Sequence, residues 1–201
     1  MPDRVLLYMS AAPDLALERE TLNTAIIEIP TSLGWRIKQT PGPDEKLDAD
    51  AVAHAEVHLL IMGSDIRAPV GAEWLTARQA GRTPRLFLKQ GILHTLAATV
   101  FINDLERHAD WHPYEDIADL RRQVLKLLAE HILDRAEYYR LNPDEFQKLR
   151  AWGKQIDKTE KKAVDQTRGG AGASSVVLSP ERFTPSEGQL VQHKKLKAKS
   201  R

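Results

Sequence analysis

Val57-His58-Leu59-Leu60-Ile61-Met62, followed at once by Gly63-Ser64-Asp65, is the clearest strand in the chain and the stretch that decides its fold. A short, continuous apolar run closed by a small polar turn reads as a strand buried on both faces, as in a parallel sheet. Upstream, Leu47 to His54 reads as a short helix, and Pro41-Gly42-Pro43 marks a loop. Trp35 to Gln39 alternates and reads as another strand. Asp14 to Ile27 reads as a helix with Pro13 suited to its first turn and Asp14, Glu18 and Glu20 near its positive end. Leu15, Leu22, Ala25 and Ile26 share one face of it, and Pro30 and Gly34 stop it. Val5 to Met9 is a second buried strand, turned by Ser10 to Pro13.

Downstream, Pro69 and Gly71 open a helix over Ala72 to Ala80, and Gly81 stands where a left-handed cap is common. Arg85 to Lys89 is the next strand, Leu93 to Arg107 reads as helix, and Trp111 to Tyr114 is a short last strand. Ile117 to Leu133 is strongly amphipathic, with Leu120, Val124, Leu127, Leu128 and Ile132 in one stripe. Strands alternating with helices over short connections predict an α/β domain over residues 1–133, a parallel sheet wrapped by helices. Residues 134–168 read as a helical extension that restarts at Asn142-Pro143, with Asn142 as the cap and Pro143 in the first turn. Residues 169–201 open on the linker-like Gly169 to Ser175 and read as a flexible, basic-ended tail.

Composition narrows the function classes. The 201 residues carry 29 basic and 28 acidic side chains, so overall charge points to neither nucleic acid nor membrane. The absence of cysteine excludes disulfides, thiolate metal sites and thiol nucleophiles, and fits a reducing cytoplasm. No apolar run approaches the ~20 residues of a membrane span, and the apolar stretch at the N-terminus is too short for a secretory signal. No GxSxG elbow or GxxxxGK[ST] loop is present. The seven histidines show no metal-ligand spacing, so no metal is expected. The last nine residues, HKKLKAKSR, have five basic groups without interleaved aromatics, and read as a solubilising end more than a nucleic-acid contact.

Three stretches together carry a resemblance. One is the first strand with Ser10, then Asp14-Leu15 and Glu18-Arg19-Glu20; another is VHLLIMGSD; the third is GAEWLTARQAGRTPRLFLK, a helix with an early glutamate, a glycine, a proline and a strand. Over roughly residues 4 to 133, a single domain's length, the chain resembles the family known only as domain of unknown function 4062. More broadly it resembles the flavodoxin-like group of Toll/interleukin-receptor (TIR) domains and nucleoside 2-deoxyribosyltransferases. Tyr8-Met9-Ser10-Ala11-Ala12-Pro13 is similar to the first strand and loop of the transferases.

The resemblance implies a flavodoxin-like sheet of about five strands and a glutamate early in the helix after the third strand as the chemical centre. Glu73 is the residue here that matches. Asp65 would orient substrate, and Tyr8 and Ser10 would line the same mouth. A carboxylate there can attack the anomeric carbon of an N-glycoside or stabilise its developing charge. A glutamate in a first turn is equally favoured by the helix dipole alone, and Asp65 is equally a turn residue bonded to its own backbone. The near-sequence of Glu18-Arg19-Glu20 reads as a solvated helix face. Two functions follow as expectations. One is a cytoplasmic TIR-like signalling domain, nucleotide-sensing in a defence or stress response, that self-associates or recruits a protein partner. The other is an N-glycosidase or deoxyribosyltransferase-like enzyme, without a cofactor, acting on NAD or a nucleoside through Glu73.

Overall fold

A computed structural model describes residues 3–42 and 44–169, with side chains through Ile156. The strands are β1 (Arg4–Ala11), β2 (Gly34–Gln39), β3 (Val57–Met62), β4 (Arg85–Lys89) and β5 (Trp111–Tyr114). The helices are α1 (Ala16–Ile26), α2 (Ala49–His54), α3 (Ala68–Gln79), α4 (Leu96–Leu105), α5 (Ile117–Asp134), α6 (Ala136–Tyr139) and α7 (Pro143–Gly169). The five strands form one sheet in the order β2-β1-β3-β4-β5, and every pair is parallel. This is the flavodoxin-like order, whose switch point lies between β1 and β3.

Alternation along each strand sends side chains to opposite layers. Val5, Leu7, Met9 and Ala11 join Val57, Leu59 and Ile61 on the face under α1 and α5. Leu60, Met62 and Leu86 pack on the other face against Val70 and Trp74 of α3 and Ala98, Ile102 and Leu105 of α4. Tyr8 completes that layer beside Val52 of α2 and Ala77 of α3. With helices on both faces, the whole of β3 is buried, as its apolar run requires.

Capping chemistry moves several helix starts away from their sequence-based positions. Thr95 accepts the Ala98 N–H at 3.2 Å, so α4 begins at Leu96 and not at Leu93. Asp48 accepts the Ala51 N–H at 2.9 Å and starts α2 at Ala49, two residues past Leu47. Pro69 sits inside the first turn of α3, which begins at Ala68 and not at Ala72. The first helix is split into a 3-10 turn, Pro13–Leu15, and α1. Gly81 ends α3 at φ +70°, with the Arg82 N–H reaching the Ala77 carbonyl at 2.8 Å, a Schellman closure.

The restart at Asn142 forms as expected. Asn142 Oδ1 accepts the Glu145 N–H at 2.8 Å, and Glu145 Oε2 accepts the Asn142 N–H at 3.4 Å, a reciprocal capping box. The other Glu145 oxygen accepts the Ser32 N–H at 2.9 Å, pinning α7 to the turn after α1. Tyr139 and Leu149 are buried in the same cluster as the β1 and β3 side chains. Glu56 supports this end of the sheet: Oε2 accepts the Leu6 N–H at 3.2 Å and the Tyr139 hydroxyl at 2.9 Å.

The unit Met1–Lys162 is compact; Ala163–Arg201 forms a second unit, described only as helix to Gly169. The linker-like run after Gly169 and the basic tail lie outside the described residues. Among the described residues no helix is long and apolar enough to cross a membrane.

Leu149 is fully buried among sheet-facing side chains. Leu149→Ala should therefore lower the unfolding free energy in urea by about 2–5 kcal/mol. A change within about 0.5 kcal/mol would show that α7 contributes nothing to the core.

Candidate functional site

Ligands of open α/β sheets enter the crevice beyond the carboxyl ends of the strands, at the switch point. Here the two turns that flank the crevice are tied to each other. Asp14, in the 3-10 turn after β1, accepts the Ser64 N–H at 3.0 Å and the Ser64 hydroxyl at 2.7 Å. Gly63 permits the approach: a Cβ there would stand 2.6 Å from Asp14 Oδ2 and 3.0 Å from Leu15. Asp14 thus bonds the β3 turn and does not cap its own helix.

Glu73 lies in the second turn of α3, because the helix starts earlier than its sequence suggested. One further turn carries the side chain over the sheet, and it is 0% exposed. The Tyr8 hydroxyl donates to Oε1 at 2.8 Å, and the Thr40 hydroxyl donates to Oε2 at 2.9 Å. Thr40 Oγ1 in turn accepts the Ala11 N–H at 3.0 Å. Burial, and then the adjacent Glu73 carboxyl, push the Tyr8 phenol well above its usual range. Among the described residues the hydrogen-bond partners of Glu73 are these two hydroxyls, and neither is a cation.

Ser10 lies two residues along β1, on the same face as Tyr8. Its Oγ is 2.7 Å from His58 Nε2, and both residues are buried. The His58 ring meets Tyr8 edge-on with centroids 5.3 Å apart. Burial lowers the His58 pKa from 6.5 to about 4, leaving the ring neutral at neutral pH. A hydroxyl against an imidazole is half of a nucleophilic pair. No acid orients the other nitrogen, since Nδ1 is buried without a partner.

Asp65 stands apart from this cluster. It accepts the Thr95 hydroxyl at 2.6 Å and the Ile66 N–H at 2.9 Å, and Arg67 lies 4.0 Å away. The Thr95 hydrogen bond, then the Ile66 N–H, hold its carboxyl below the ordinary range. Of the four residues, Tyr8 and Glu73 are joined directly, Ser10 is beside them through His58, and Asp65 serves its own turn. Arg67 pairs with Asp65 and not with Glu73, while Trp74 packs between α3 and α4 under the Arg78 guanidinium, 5.5 Å from the ring centre.

Glu18 corrects the solvated-face reading of its triplet. α1 carries it onto the end of β4, where Lys89 Nζ lies 2.7 Å from Oε1 and Glu18 is buried. Tyr114 is buried on the same face with no hydrogen-bond partner for its hydroxyl; burial first, then Glu18 and Asp14, push its phenol up. Sequence reasoning also missed His58 and Thr40. His58 had a usable signal: a polar residue inside a run buried on both faces must find a polar partner. Thr40 lies in a loop and had none. Among the described residues no group of three or more His, Asp or Glu side chains is placed to hold a metal ion.

No family model, curated protein or solved structure matches this chain.

His58 gives a pH test. Its proton affinity is lower folded than unfolded, so below pH 6.5 the unfolded chain binds the extra proton and stability falls as pH drops toward about 4. The full effect is about 3 kcal/mol. Urea titrations across that window should show this slope for the wild type and a flatter one for His58→Gln; identical slopes would contradict the assignment.

Proposed function

We propose that this chain is a TIR-like interaction or signalling domain, acting through self-association or a protein partner, with Glu73 serving the interior and not catalysis. The observation that carries this reading is the environment of Glu73: it has no exposed surface, and both oxygens are occupied by hydroxyls of the chain itself. A carboxylate that works on a glycosidic bond must reach the anomeric carbon. Asp14 at the switch point, bonded to Ser64, places a carboxylate where an anionic ligand would sit and supports the same reading. An outward apolar surface for contacts is present at Leu93, in the loop before α4, and at Leu96 and Val100 on α4, which are 92%, 82% and 62% exposed. Nucleotide sensing in a defence or stress response, and a cytoplasmic location, extend this proposal on the resemblance and on the cysteine-free composition.

A second reading, an N-glycosidase or deoxyribosyltransferase-like enzyme acting on NAD or a nucleoside, is favoured by one contact. The 2.8 Å bond from Tyr8 to Glu73 is the kind that orients a nucleophilic carboxyl. It requires α3 to withdraw and open the site.

Release of free base separates the two. Purified protein incubated with NAD and a panel of nucleosides should release none by chromatography, at high concentration and under induced self-association, and Glu73→Gln should behave identically. Release by the wild type that is lost in Glu73→Gln would establish the enzyme instead.

A further inference from the structure

On the face under α1 and α5, the helices leave part of β4 and β5 open. Phe87 and His112 are register partners there, with ring centroids 5.4 Å apart and planes tilted by 34°. With one flank of α5 they line a groove of about 680 Å³. That volume is in the range of sites for small organic ligands. Phe87 is buried and His112 is exposed, so the imidazole presents a flat surface to the groove, backed by the phenyl ring.

The groove reaches the amino ends of β3 and β4, where Arg85 and Arg135 line it from opposite elements, β4 and the end of α5. Both bear on the same neighbour: His131 is pushed down by burial first and then by Arg135, with Glu56 opposing, then by Arg85, with Asp134 opposing. Among the described residues neither arginine forms an ion pair or a side-chain hydrogen bond. Glu56 also lines this end, but its carboxyl already accepts from the Leu6 N–H, Tyr138 and Tyr139. Glu130 and Asp134 lie along the α5 flank, and neither is bonded to these arginines. Two guanidiniums that line one groove without a bonded counter-charge can each give charge-assisted bonds to an anion held there.

We propose that this groove is a binding site for a small organic anion with a flat ring, of the nucleoside monophosphate class. The phosphate lies between Arg85 and Arg135, and the base lies against His112 over Phe87. Phe87 and His112 lie on the opposite face of the sheet from Glu73, and the proposal does not rest on the reading given to that residue.

The test is calorimetric titration of the full chain with three probes: AMP, adenosine and inorganic phosphate. AMP should bind more tightly than either fragment. Arg85→Gln and Arg135→Gln should each weaken AMP about tenfold, the loss of one charge-assisted contact, and leave adenosine unchanged. His112→Ala should weaken AMP and adenosine together, and Glu73→Gln should alter none of the three. Both arginines are exposed, so their variants keep the fold, checked by urea denaturation. The proposal is overturned if AMP fails to bind at millimolar concentration, or binds no more tightly than phosphate or adenosine alone. It is also overturned if neither arginine substitution weakens AMP.

Discussion

A carboxyl group shut away from water must be given donors by the chain around it. Glu73 is such a group, and its donors come from two different parts of the sheet: Tyr8 in the middle of β1 and Thr40 just past β2. One side chain of α3 thereby fixes the helix over β1, closes the end of β2 and aligns the Ala11 N–H through Thr40. The cost of leaving any one of these groups unpaired, about 1–3 kcal/mol, makes the arrangement all-or-none. The Ser10–His58 pair next to it, between β1 and β3, meets the rule at Nε2 and leaves Nδ1 without a partner.

The same constraint shapes the carboxyl end of the sheet. Asp14 bonds the β3 turn and Glu18 bonds Lys89 at the end of β4. Acids that would repel an anionic ligand are thus spent on joining successive elements at the carboxyl ends of the strands. The outward-facing chemistry lies elsewhere, in the apolar surface of α4 and in the groove beside α5. This separation is consistent with one fold supporting different functions through different sites.

Most of the fold was legible because its signals are local. The apolar VHLLIM run, the Gly81 stop and the Asn142-Pro143 restart each specify backbone geometry within a few residues, and each is found where the sequence placed it. Helix starts were less legible: a hydrophobic pattern passes over the Thr95 cap, and Pro69, read as opening its helix, stands inside a first turn that begins at Ala68. The site was legible only in part. Tyr8 and Glu73 do meet, but shifting the start of α3 to Ala68 turns Glu73 from a first-turn position facing the strand ends to a second-turn position over the sheet. Glu18 shows the other limit: a charged triplet on a helix looks solvated until the fold brings Lys89 to it from 71 residues away.

Chemical denaturation of Glu73→Ala tests the central claim most directly. Residues kept for catalysis are commonly held at a cost, and removing them tends to leave stability unchanged or raised. Residues that hold the interior together lower it when removed. The structure predicts that Glu73→Ala, by stranding the Tyr8 and Thr40 hydroxyls and opening a cavity, loses about 2–4 kcal/mol. Stability equal to or greater than the wild type would contradict the account and return Glu73 to the active-site reading.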